Sequence, residues 1–161
     1  MSGAKRNLQA ALDAGDHGAL VAAIPYAGFL GIAVDADTDG ARIYRMPYRA
    51  DLIGNSRKPA LHGGTVAGLL ELSMQLEVLI AETQARLPYP VDFSIDYWRS
   101  AGPKDCLCRC RLIRSGRRMA QVQAECWQDD AERPIAFARA DFLLRAADEA
   151  DRDAGMQTSM D

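Results

Sequence analysis

The alternation of apolar and polar positions divides the chain into a helical beginning, two strands, one long apolar helix and a run of strands. Leu8, Ala11 and Leu12 recur at helical spacing within residues 4–14, which predicts a short amphipathic helix. A second helical turn over 16–23 is stopped by Pro25. The next segment, YAGFLGIAVDAD, alternates as a strand, D-T-D-G marks a turn, and ARIYRMPY reads as a second strand. Residues 49–59 are polar and hold Gly54, Asn55 and Pro59, the composition of a loop.

The pattern then loses its polar face. From His62 to about Gln84 there is no proline, and strong helix formers dominate after Gly68. Val66, Leu69, Leu70, Leu72, Met74, Leu76, Val78, Leu79 and Ile80 cover nearly every side, so this helix is central rather than superficial, with Glu77 and Glu82 on the stripe left to solvent. After Pro88 and Pro90 the period falls to two in VDFSIDYWRS, DCLCRCRLIR, RRMAQVQAECWQD and RPIAFARADFLLR, with turns at Ser115-Gly116 and Asp129-Asp130. Antiparallel strands around one long helix make an α+β architecture, in the order two strands, helix, four strands.

Length and charge narrow the class. The 161 residues, 48% of them hydrophobic, suit one domain that buries roughly 70% of its unfolded surface. Nineteen basic against 22 acidic residues give a net charge of -3, which disfavours a nucleic-acid partner. No stretch reads as a membrane span of ~20 apolar residues, and the N-terminus lacks a secretory pattern, so a soluble cytoplasmic protein is expected. Residues 146–161 hold five acids and one arginine and read as an acidic disordered tail. Cys106, Cys108 and Cys110 share one strand face, and C-x-C-x-C lacks zinc spacing. Together with Cys126 they read as small buried hydrophobes in a reducing compartment. With only His17 and His62 available, no metal site is expected.

Candidate chemistry gathers at the head of the long helix. The first N–H groups of a helix have no partner within it and carry the positive end of its dipole. In HGG, Gly63 and Gly64 remove Cβ atoms, so a developing oxyanion could reach a backbone N–H. The same glycines equally suit a tight loop-to-helix turn. Glu71, between Leu70 and Leu72, needs a partner, a raised pKa or a solvent stripe, and the first two suit base or nucleophile chemistry. Eight positions separate Gly63 from Glu71, ~12 Å along one helix, so a single carbonyl cannot meet both. Two helices antiparallel about a two-fold axis could bring them together, which makes a shared site and at least a dimer.

The strings GNSRKPALHGGTVAGLLE, VDFSIDYWRSAG and RLIRSGRRMAQVQAECW resemble the PaaI-like branch of hotdog-fold acyl-CoA thioesterases over roughly residues 26–145. The resemblance implies three segments: an N-terminal helical piece over 1–25, the hotdog domain over 26–145 and the acidic tail over 146–161. It implies that Asn55 contacts the thioester or the attacking water, and that His62 supports that loop and the substrate carbonyl. Gly63 N–H would polarise the carbonyl, with Gly64 keeping the approach open. Glu71 of the partner subunit would act as general base or nucleophile, standing where most members have Asp. Gln75, one turn on, takes the place of a hydroxyl that holds water. Gly116, Arg117 and Arg118 fall where relatives meet the nucleotide end of coenzyme A, and Arg forks suit its phosphates. No cofactor is implied beyond the coenzyme A of the substrate, and the assembly is a homodimer or homotetramer. If the register holds, Phe29, Val66, Leu70, Phe93 or Ile95 wall the acyl pocket. A non-catalytic acyl-CoA-binding protein is the competing class, and a hydratase is a lesser one. A serine hydrolase is disfavoured because no G-x-S-x-G elbow accompanies His62.

Overall fold

Three short helices open the chain, which this computed structural model describes over residues 3–83 and 85–144. They are α1 (Gly3–Ala14), α2 (His17–Ala22) and α3 (Pro25–Leu30). Asp16 caps α2, its carboxylate accepting from the Ala19 N–H at 2.9 Å. The third helix is a correction, because alternation assigned Tyr26–Leu30 to a strand. Pro25 in the first turn and Gly31 as a left-handed cap (φ 70°) bracket a helix there. The buried residues Ile24, Ala27 and Leu30 fall three apart rather than two. The first strand is therefore confined to β1 (Ala33–Ala36).

After β2 (Arg42–Met46) the segment expected as a loop holds a 3-10 turn (Ala50–Leu52) and a small hairpin of β3 (Ile53–Asn55) and β4 (Ala60–Leu61). Then come α4 (Gly63–Glu82) and the strands β5 (Tyr89–Tyr97), β6 (Cys106–Ser115), β7 (Met119–Trp127) and β8 (Ala136–Leu143). Six strands form one antiparallel sheet in the order β1-β2-β6-β7-β8-β5, which leaves β1 and β5 at its edges. The sheet wraps on α4, as the α+β reading expected. The expected tail at 146–161 lies outside the described residues.

The helix–sheet interface pairs large with small. From α4 come Leu69, Leu70, Met74, Leu76, Val78 and Leu79, all without accessible surface. The sheet answers with Cys106, Cys108, Ala120, Ala124, Cys126, Ala136, Ala138 and Ala140, each at most 2% exposed. Small side chains on the sheet let the helix backbone come close, so the leucines interdigitate at crystal-like density. The cysteines are free, and burial pushes the Cys106 thiol up to about 12 from an ordinary 9.0, and Cys126 higher still. By length and composition α4 could cross a membrane, contrary to the expectation that no segment could; here it is the core helix.

Glu77 departs from its expected place on a solvent stripe. The Arg42 guanidinium donates to it from Nε at 2.9 Å and Nη2 at 2.5 Å, and the Tyr44 hydroxyl donates at 2.7 Å. Only 13% of the Glu77 side chain is exposed. The hydrogen bond to Glu77 raises the Arg42 pKa, and burial pushes the Tyr44 phenol well above its usual range. The cluster ties the middle of α4 to the edge region of the sheet with a satisfied charge.

Glu77→Ala leaves Arg42 a third exposed and Tyr44 buried without its acceptor, so urea denaturation should show a loss of about 2 kcal/mol. The thiols predict an alkaline limit. Cys106 stays protonated in the fold while the unfolded chain ionises it near pH 9, so the unfolded state binds fewer protons above that pH. Stability should be insensitive to this group below pH 9 and fall between pH 9 and about 12, measured as Tm against pH.

Candidate active site at the head of the central helix

Among the described residues, every backbone N–H from Leu61 to Val66 has a partner except one. Leu61 N–H donates to Ala101 C=O at 2.9 Å and His62 N–H to Leu52 C=O at 2.8 Å. Gly64 N–H donates to Nδ1 of His62 at 2.9 Å, and Thr65 and Val66 N–H both reach His62 C=O. Among the described residues the Gly63 N–H alone in this run carries no hydrogen bond. Such a donor, at the positive end of a 20-residue helix, is suited to hold an anionic oxygen.

His62 is the N-cap of α4. Because its Nδ1 accepts from Gly64, the neutral ring carries its proton on Nε2, which makes that atom a donor at the exposed site. This bond also uses the Gly64 N–H, so only one of the two glycines keeps a free donor. The Thr65 hydroxyl donates to His62 C=O at 2.7 Å and tightens the same turn.

The β3–β4 hairpin braces this turn from the side. A Cβ on Gly54 would stand 2.7 Å from the His62 Cα, so the two backbones touch there. Asn55 closes the hairpin, its Oδ1 accepting from the N–H groups of Arg57 and Lys58 at 3.1 and 3.3 Å. The side chain is exposed, and its amide N–H groups carry no bond among the described residues.

Glu71 is only partly buried, and among the described residues it has no hydrogen bond or ion pair. It belongs to a stripe of α4, Gly64, Ala67, Glu71 and Gln75, whose members all keep accessible surface. Glu77 and Ser73 lie on the opposite side, toward the sheet, where the Ser73 hydroxyl is buried with no partner among the described residues. Of the three acids on this helix, Glu77 is neutralised by a guanidinium, Glu82 accepts from the Ser115 hydroxyl, and Glu71 is left bare among the described residues. Gln75 uses its Nε2 on Pro88 C=O at 2.8 Å, so it anchors the connection into β5.

The arginine hairpin is at the other end. Gly116 N–H donates to Met119 C=O at 2.9 Å and closes the β6–β7 turn, with Arg117 and Arg118 exposed on it. Ser115 donates to Glu82 in the last turn of α4. Within one protomer the arginines and Gly63 therefore stand about a helix length apart, ~30 Å. Of the expected pocket walls, Val66 and Leu70 are sealed in the core at 2% and 0% exposure, whereas Phe29, Phe93 and Ile95 keep accessible surface. A recess of about 320 Å³ on the sheet is lined by Arg109, Arg111, Gln123, Glu125 and Phe137, apart from all the site residues named above. Among the described residues no group of three or more His, Cys, Asp or Glu is placed to hold a metal ion.

Tyr97 is the residue the sequence reading overlooked. At the end of β5 it reaches over Gly63, and its hydroxyl donates to Gly63 C=O at 2.7 Å. Partial burial raises its pKa, which keeps the phenol a donor. The signal was available, because the alternation in VDFSIDYW puts Phe93, Ile95 and Tyr97 on one face.

A sheet wrapped on one long helix, with a bare backbone donor at the helix head, defines a hotdog protein of the thioesterase type. The acyl-CoA thioesterase N-terminal domain matches residues 54–143, and this chain belongs to that family. A crystal structure of a Chromobacterium violaceum protein is 30% identical, with a TM-score of 0.72, over 89% of this chain and 99% of that one. A phenylacetic acid degradation-related protein from Ralstonia eutropha is 21% identical at a TM-score of 0.66, over 75% and 90% of the two chains. A variant of phenylacetic acid degradation protein PaaI from Thermus thermophilus is 20% identical at 0.60, over 75% and 99%. These last two share the fold of this chain. No curated protein matches the chain.

Because the Gly54 and His62 backbones touch, Gly54→Ala should push the hairpin off the helix head and destabilise the protein by about 1–3 kcal/mol, read by thermal melting.

Proposed function

We propose that the protein hydrolyses an acyl-CoA thioester to a free acid and coenzyme A, at a site completed by a second copy of the chain. The observation that carries this reading is the Gly63 N–H, the one unpaired donor in a run whose other N–H groups are all engaged. A pre-aimed donor of this kind stabilises the oxyanion that forms when water adds to a carbonyl. His62 Nε2–H and the Asn55 amide are further donors on the two elements that frame the turn.

Glu71 supplies the base. Its carboxylate has no cation or donor among the described residues to neutralise it, unlike Glu77. In the general-base route it takes a proton from water as the oxygen bonds to the carbonyl carbon. The tetrahedral intermediate then expels the coenzyme A sulfur, which leaves as a thiol once that proton is passed to it. In the nucleophilic route Glu71 attacks first and expels the thiolate, which takes a proton from solvent, and water then cleaves the mixed anhydride to the free acid and the Glu71 carboxylate. Gln75 reads as a support for the strand that follows rather than as a group on water, because its amide is engaged with Pro88.

The spacing of these groups favours a dimer. Gly63 and Glu71 are ~12 Å apart along α4, and the Arg117–Arg118 hairpin lies past its far end. Antiparallel packing of two α4 helices brings the arginines of one copy toward the glycine of the other, where they would meet the coenzyme A phosphates with Gly116 turning the hairpin. The edge strand β5 exposes Tyr89, Val91 and Tyr97, and Trp98 just after it, each more than half accessible, as an unprotected edge suited to pairing. The N-terminal piece over 1–25 and the tail over 146–161 flank this domain of 26–145. The reading is that of a soluble cytoplasmic enzyme with no cofactor other than its substrate's coenzyme A.

Free-thiol release from short-chain, medium-chain and aromatic acyl-CoAs tests the proposal. Glu71→Gln should lower kcat by at least 10²-fold with Tm unchanged. Transfer of ¹⁸O from labelled water into Glu71 over repeated turnovers identifies the anhydride route with water attacking the Glu71 carbonyl. A folded dimer that releases no thiol from any of these substrates, yet is stabilised by coenzyme A, would instead be the binding protein.

A further inference from the structure

The peptide that joins Gly63 to Gly64 is held at both ends. Its N–H donates to His62 Nδ1 at 2.9 Å, and its C=O accepts from the Tyr97 hydroxyl at 2.7 Å. A peptide group is planar, so gripping both of its polar atoms leaves it little rotation about either flanking bond. The peptide immediately before it, between His62 and Gly63, carries the unpaired N–H and also takes three bonds on its carbonyl, from Thr65 N–H, Val66 N–H and the Thr65 hydroxyl. Gly63 has no side chain to restrict its own φ and ψ, so the direction of its N–H depends on what holds the peptides on either side. Of those holders, His62, Thr65 and Val66 belong to the same turn. Tyr97 alone comes from elsewhere in the fold, 34 positions along the chain, at the end of the edge strand.

We infer that Tyr97 is a positioning residue, which aims the Gly63 N–H by fixing the adjoining Gly63–Gly64 peptide. The inference rests on the thioesterase reading for its consequence in catalysis, although the clamp itself is independent of it. The ring also lies against the Gly63 Cα, since a Cβ there would meet the Tyr97 hydroxyl oxygen at 3.4 Å and its ring carbons at 3.5 and 3.6 Å. Ring and hydroxyl therefore restrain the glycine by two separate contacts. Removing the hydroxyl alone leaves the carbonyl only its helical bond within α4 while the ring still packs, so the variant retains its fold.

Tyr97→Phe in the full-length protein separates the possibilities. Removing an oxyanion donor outright costs about 10²–10³-fold in kcat, so one left in place but loosely aimed should cost about tenfold, with KM unchanged and Tm preserved. Amide hydrogen exchange followed by NMR should be about fivefold faster at Gly64, because the bond lost from the Gly63 carbonyl loosens the same peptide. Wild-type kcat in the variant would overturn the inference, and so would a rise in KM at constant kcat, which would put the phenol on the substrate instead. If the wild-type protein releases no thiol at all, the thioesterase reading fails separately. The clamp is then decided by exchange alone: acceleration at Gly64 upholds it, and wild-type exchange removes it.

Discussion

The structure depends on one packing constraint: a 20-residue helix with almost no polar face must bury itself on nearly every side. One sheet cannot do this unless it curves and lets the helix approach closely. The thiols and alanines of β6, β7 and β8 allow that approach, and α3 closes another flank where Tyr26 and Leu30 press on Gly68. What stays accessible is the narrow stripe from Gly64 to Gln75, the helix's first turn and its last turn. The candidate site lies on the first two of these. The same constraint explains the contrast between the two acids, since Glu77 faces the sheet and must be neutralised there, whereas Glu71 need not be.

Much of this was legible in the amino-acid pattern, and the reasons differ by element. The central helix was plain because Val66 to Ile80 supply apolar residues in every direction without a proline. The strands β7 and β8 alternate cleanly because one face meets α4 and the other does not. By contrast, α3 is six residues long, and over so short a span apolar spacing by two and by three both fit. Pro25 and Gly31 decide it as caps. The β3–β4 hairpin was missed because its pairing is made of backbone contact and an Asn55 turn, neither of which leaves a hydrophobic trace. Glu77 was misplaced because its partners, Arg42 and Tyr44, lie more than thirty positions away.

The candidate site was legible as a motif but not as a mechanism of support. His-Gly-Gly and an acid eight residues on could be read directly, along with the argument that one protomer cannot bring them together. Which glycine keeps a free N–H could not, since that turns on the His62 ring folding back onto Gly64. The contribution of Tyr97 is a long-range contact of the kind that alternation places on a face without saying what it meets.

The small residues beneath the helix have a consequence beyond stability. Ala124, Ala138 and their neighbours set the spacing between α4 and the sheet, and the donor at the helix head is carried on the same rigid rod. The sheet supplies Tyr97 while the helix supplies Gly63, so the clamp bridges the two layers it depends on. One extra methylene in that floor therefore need not unfold the molecule to silence it. A change in layer thickness of a fraction of an ångström, made far from any substrate, alters the distance that the phenol must span. On the function proposed above, tolerance to mutation in this interior is bounded by alignment of the site sooner than by survival of the fold.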